Sequence, residues 1–276
     1  NTAEIAGGIY LECGEEGNVS MSNIHIVSNA ASEDGGGLSI IDCNNFTIDS
    51  LLIEYNQMDS GQGSGVNIEN SSGTMNNTII NNNSGATFGG GIMIKSDSEV
   101  VFNNINVENN DASNGGGIYI WESNTVFNNI LVNNNTGSDG AGISSEESTC
   151  TFIDLTISNN IGNVRIYKDY NSELSFTNVV STNNILSQNS GFVLSFQSLS
   201  VDINGGKITD NVGLGISVSG PININNVTIA NNSGWGILTA SLNANINNSI
   251  IWGNSGYQIR MSNNLWGSEY LNIKYS

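Results

Sequence analysis

Apolar and polar residues alternate with a period of two along most of the chain, and the alternation restarts about every 25 residues. Aligned on the last Asn of each unit, the column reads Asn29, Asn56, Asn83, Asn110, Asn135, Asn160, Asn184, Asn211, Asn232 and Asn254. Eight positions before it stand Met21, Ile48, Met75, Phe102, Phe127, Phe152, Phe176, Ile203, Ile224 and Ile246, all apolar. Three positions before it stand nine Ile or Val side chains, with Ser181 the exception. A second apolar column follows glycine: Ile9, Leu38, Val66, Ile92, Ile118, Ile143, Val164, Val193, Ile216 and Ile237. Such alternation marks strands with one buried face. Stripes at helical spacing are missing, and Asn, Gly, Ser and Thr are too dense for helix propensity to prevail.

A chain that repeats two strands every 25 residues with no crossover helix must coil. The pattern therefore predicts an all-β fold: a single-stranded parallel β-helix, or solenoid, of about ten coils, forming one domain over residues 1–276. At the spacing of hydrogen-bonded strands, ten layers make a rod of roughly 45–50 Å. The Asn column is expected to take the left-handed conformation at a tight bend and to stack its amides into a ladder along the rod. The many N-x-S/T triplets, such as Asn226-Val227-Thr228, follow from that ladder and do not indicate glycosylation. The intervals between ladder residues shorten from 27 in the first coils to 21 and 22 in the last, so surface loops should be longest near the start.

The recurrent GGGI-x-I followed by F-N-N-I-x-V-x-N-N resembles the right-handed parallel β-helix repeat of the pectate-lyase-like superfamily. It is similar, more narrowly, to the repeats of polymorphic outer-membrane proteins and other large bacterial surface proteins. The segments NSIIWGNSGYQI (248–259) and LNIKYS (271–276) look like terminal coils of secreted β-helix proteins. The resemblance implies a right-handed coil, an extracellular or bacterial cell-surface location, and a chain that is a fragment of a longer one. It carries the fold and not a reaction, because the repeat encodes the rod.

Composition narrows the function. Six Lys and Arg against 25 Asp and Glu leave a net charge of −19, which repels phosphate backbones and excludes nucleic acid as a partner. No apolar run approaches the roughly 20 residues that cross a bilayer, so no membrane insertion is expected of this segment. The single histidine, His25, and three cysteines without a CxxC leave no zinc motif. Cys13 and Cys43 occupy nearly equivalent places in successive repeats, which leaves a bridge between layers and two separate thiols both open. Cys150 falls in an apolar column and reads as a core residue. The hydrolases of the resembling superfamily imply close Asp residues with a nearby His, yet no Asp-Asp pair occurs here. The lyases imply carboxylates on calcium with an Arg or Lys base.

One candidate constellation stands on the strand after glycine, where the residues between core positions should face outward. These are Met93 and Lys95, Tyr119 and Trp121, Ser144 and Glu146, then Arg165 and Tyr167, followed by Lys168 and Asp169. Tyr119, Trp121, Glu146, Arg165, Tyr167 and Lys168 would form a strip suited to sugar rings or a protein partner, with apolar faces to stack on and charges to hold hydroxyls. Strand preference of aromatic residues with a loop packed over them is the plainer account. No catalytic residue is assigned; were the strip catalytic, Arg165 would be the base, with Glu146 or Asp169 on a cation. Glu33, Asp34, Asp59, Asp111 and Asp139 precede the glycine-rich starts and form either a solvated acidic edge or a loose calcium file; no other cofactor is expected. The expected role is a non-enzymatic extracellular rod for adhesion, display or spacing. The alternatives are a carbohydrate-binding or polysaccharide-degrading β-helix protein, or a filament subunit making end-to-end contacts. The partner would be a glycan or a host or neighbouring surface protein.

Overall fold

The computed structural model describes residues 1–14, 17–187, 191–240, 243–261 and 270–274, and among them the chain is all-β without a helix. It winds into a parallel β-solenoid of about ten turns. A coil such as the fifth has three strands, Asp111–Asn114, Ile118–Trp121 and Asn124–Asn133. Equivalent strands stack into a 12-stranded sheet of long strands, an 11-stranded sheet of central strands, and a narrow strip in pieces of three and five strands. Every inter-strand ladder is parallel and largely in register, as where Phe102 lies opposite Met75 on one side and Phe127 on the other.

The corners explain the polar composition. The residue just before each ladder Asn has a positive φ: Ser28, Tyr55, Asn82, Asn109, Asn134, Asn159, Asn183, Asp210, Asn231 and Gly253. So does the residue six before it, a series that includes Asn77, Asn104, Asn129, Asp154, Asn178 and Gly205. The ladder Asn itself has no such φ, so the left-handed role expected of it belongs to its neighbours. Short side chains that bond to nearby backbone tolerate that region best. Turning the chain at the preceding residue aims the ladder amide inward, where it can reach the layers on both sides.

The ladder runs through the interior. The backbone N–H and Nδ2 of Asn110 both donate to Oδ1 of Asn135, at 2.9 and 3.1 Å. Nδ2 of Asn110 also donates to the Ile80 carbonyl, at 3.0 Å. The Nδ2-to-Oδ1 step repeats at 2.9–3.1 Å for all nine consecutive pairs from Asn29 to Asn254. In most coils a glycine stands beside it. A Cβ on Gly91 would lie 2.6 Å from the Gly117 carbonyl oxygen and 3.0 Å from Nδ2 of Asn110.

The core is columnar as well. Phe102, Phe127, Phe152 and Phe176 stack face to face at 4.6, 5.0 and 5.2 Å, with planes within 8° of parallel. Each such ring contributes roughly 1.5–3 kcal/mol by burial. Cys13 and Cys43 form a disulfide between the first two coils, and Cys150 is a buried free thiol.

Two coils depart from the expected register. Ile143 lies opposite Tyr167, and Tyr167 opposite Leu194, where Val164 and Val193 were expected. After Asn160 the chain first lays the short strand Ile161–Gly162 against Thr136 and Gly137, so Val164 is still in the corner. Ile166 and Val193 then fill the place held elsewhere by the glycine against the ladder, and both are fully buried. Of the terminal segment 271–276, residues 275 and 276 lie outside the described residues.

Candidate functional site

The outward face of the central sheet carries two parallel files of side chains. One contains Asn67, Met93, Tyr119, Ser144, Lys168 and Ser195 in register. The other contains Glu69 opposite Lys95, and Trp121 opposite Glu146 and then Tyr170. Strand alternation alone places them there, because Ile94 and Ile120 between them face the core.

Charges along these files are paired. Lys95 is only 7% exposed, and its Nζ lies 3.2 Å from Asp34 and 3.1 Å from Glu69. Arg165 puts Nη1 2.8 Å from Asp139 Oδ2 and donates from Nε to Ser195 Oγ at 3.2 Å. Lys168 lies 3.1 Å from Glu146 Oε1 and 3.8 Å from Asp139. The pKa of Tyr119 is raised, first by burial and then by the nearby Glu146 carboxylate. Negative charge nearby disfavours the phenolate, as does the loss of water.

Above Tyr119 and Trp121 the surface is hollow. A shallow cavity of about 240 Å³ is lined by Gln62, Phe88, Met93, Tyr119, Trp121 and Glu146. Phe88, from the narrow strand Ala86–Phe88, meets the Tyr119 ring edge-on at 4.9 Å. Trp121 is 38% exposed at the mouth. The Oε1 atom of Gln62 is buried and has no hydrogen-bond partner. Gln62 and Phe88 escaped the sequence reading because they come from corner segments without a repeat signature.

Five of the six expected strip residues share this face: Tyr119, Trp121, Glu146, Arg165 and Lys168. Tyr167 does not. It points inward, fully buried, with its ring 5.6 Å from both Phe176 and Phe196. The shifted register that moves Tyr167 inward moves Asp169 inward too. Asp169 is 2% exposed and accepts hydrogen bonds from Ser145 Oγ at 3.0 Å and from Ser198 Oγ. It stands inside the rod and cannot share a cation with Glu146 on the outer face. Burial pushes its carboxyl pKa up, against the lowering effect of the hydroxyls around it. The Cys150 thiol is pushed up to about 12, chiefly by burial. Only a register that sets Ser145 and Asp169 in the file that runs through Ile40, Ile68, Ile94 and Ile120 before them and Phe196 after them reveals this polar pocket in the core.

The acidic residues before the glycines disperse. Asp34 and Asp139 share a file but are separated in it by Gln62, Phe88 and Asn114, while Asp111 lies in the file of Thr136 and Ile161. Glu33 and Asp59 are exposed. Among the described residues no three His, Cys, Asp or Glu side chains converge as metal ligands would.

Fold and surface together define a β-solenoid protein with paired charges and an aromatic hollow on one face. No protein-family model, curated protein or solved structure matches the chain.

Proposed function

We propose that this chain is a rigid extracellular rod of a bacterial secreted or cell-surface protein, serving adhesion, display or spacing, and that it is not an enzyme. The observation that carries the reading is the unbroken amide ladder from Asn29 to Asn254, which ties every coil to the next. Each rung satisfies buried polar groups on two layers, so bending the rod would break several bonds at once. The Cys13–Cys43 bridge suits an oxidising compartment. Antibody labelling of intact source cells is the test of location, and labelling that appears only after lysis would count against it. Release of reducing or unsaturated sugars from a panel of acidic and neutral polysaccharides would overturn the non-enzymatic reading.

A second reading, carbohydrate binding, is favoured by one specific observation: Trp121 lies open to solvent at the mouth of the hollow beside Tyr119. An aromatic face of this kind stacks on the apolar side of a sugar ring.

A further inference from the structure

We infer that the hollow over Tyr119 and Trp121 selects a cationic sugar, a pyranose ring bearing a free ammonium group, over neutral and acidic ones. This rests on the carbohydrate-binding reading of the same cavity and names its ligand class. Three features of the lining point to it. Its walls are rings and a thioether, Phe88, Tyr119, Trp121 and Met93, whose faces attract both a C–H surface and a cation. Its charged group is an acceptor: the Glu146 carboxylate is engaged by Lys168 at Oε1 and keeps lone-pair sites open to a donor.

The third feature is the placement of charge. Among the described residues no Lys or Arg lines the hollow. The cations around it are committed, Lys95 to Asp34 and Glu69, Arg165 to Asp139, and Lys168 to Asp139 and Glu146. An acidic sugar would find no free positive group, and the net charge of −19 would repel it at longer range. An ammonium group is drawn by the same field, can donate to the Glu146 carboxylate, and can sit against the rings. At about 240 Å³ the hollow is smaller than sites for drug-sized ligands, so it takes one ring of a chain that continues along the open face.

The test is titration calorimetry of the whole chain with four tetrasaccharides: fully deacetylated chitosan tetramer, its N-acetylated form, cellotetraose and tetragalacturonate. The chitosan tetramer is expected to bind at least about tenfold tighter than the others, as a charge-assisted hydrogen bond would give. Glu146→Gln and Trp121→Ala should each weaken it about tenfold or more. Thermal melting reports that each variant is folded. Equal binding of cellotetraose would overturn the inference while leaving carbohydrate binding in place. Binding of none of the four would overturn both. Undiminished chitosan binding by the Trp121 and Glu146 variants would show that net charge alone attracts the polycation, and would overturn the inference too.

Discussion

Oδ1 of Asn135 receives two hydrogen bonds from one residue, the backbone N–H of Asn110 at 2.9 Å and its Nδ2 at 3.1 Å. The same amide gives its own Nδ2 protons to the Val107 carbonyl at 2.9 Å and to Asn160 Oδ1 at 3.1 Å. Four bonds thus converge on a side chain that has no solvent exposure.

Asn135→Ala leaves the Asn110 N–H buried without its partner and removes the bonds from Asn110 Nδ2, to the Val107 carbonyl and to Asn160 Oδ1. At about 1–3 kcal/mol for the orphaned N–H and about 0.5–1.5 kcal/mol for each lost bond, the loss of stability should reach about 3–5 kcal/mol in denaturant unfolding. Asn135→Asp keeps the acceptor and loses the donor, so its deficit should be larger at neutral pH than in acid, where the carboxyl can protonate and donate. A substitution cost under about 1 kcal/mol would show that the ladder is ornamental to stability.

Phe127 sits between Phe102 and Phe152 in the ring stack. Phe127→Ala should cost about 3–5 kcal/mol, since neighbours tied into sheets on both sides cannot collapse into the cavity. Thermal and denaturant melts of the variant measure this directly.

The disulfide closes a loop with a sequence separation of 30 between the first two coils. In the chain-entropy account a loop of that size contributes about 3–4 kcal/mol. Because each coil touches only its neighbours, reduction should release amide protection in the first coils and leave the central ones protected. Hydrogen exchange under reducing conditions checks this; uniform loss along the rod would contradict it.

Asp169 carries a carboxyl whose pKa burial has raised. A group that holds its proton more tightly when folded contributes stability below its ordinary titration range, and this is lost as pH rises through the raised value. Asp169→Asn keeps the shape and an acceptor for Ser145 or Ser198 but cannot ionise. The variant should equal or exceed the parent in stability at neutral pH, with a flatter dependence of Tm on pH between mild acid and neutrality. A variant destabilised at neutral pH yet matching the parent in acid would show that the ionised form is the one the pocket holds.

Much of this was legible in the chain. Strand alternation and the 25-residue recurrence are local properties, since a side chain in a strand faces in or out according to its neighbours, and stacked identical residues reinforce one another. Met21 to Ile246 and Asn29 to Asn254 therefore identify a coil, its core columns and its amide file without coordinates. The tertiary structure decided what depends on how many residues each corner consumes. A shift of register at Arg165–Tyr170 sent Tyr167 and Asp169 into the core and left Lys168 outside. It likewise decided which distant segments meet: Gln62 and Phe88 close over Tyr119 and Trp121, and Cys13 reaches Cys43. Corners and cross-coil contacts carry no period of their own, so their outcome is set by steric fit between layers and not by any pattern within one.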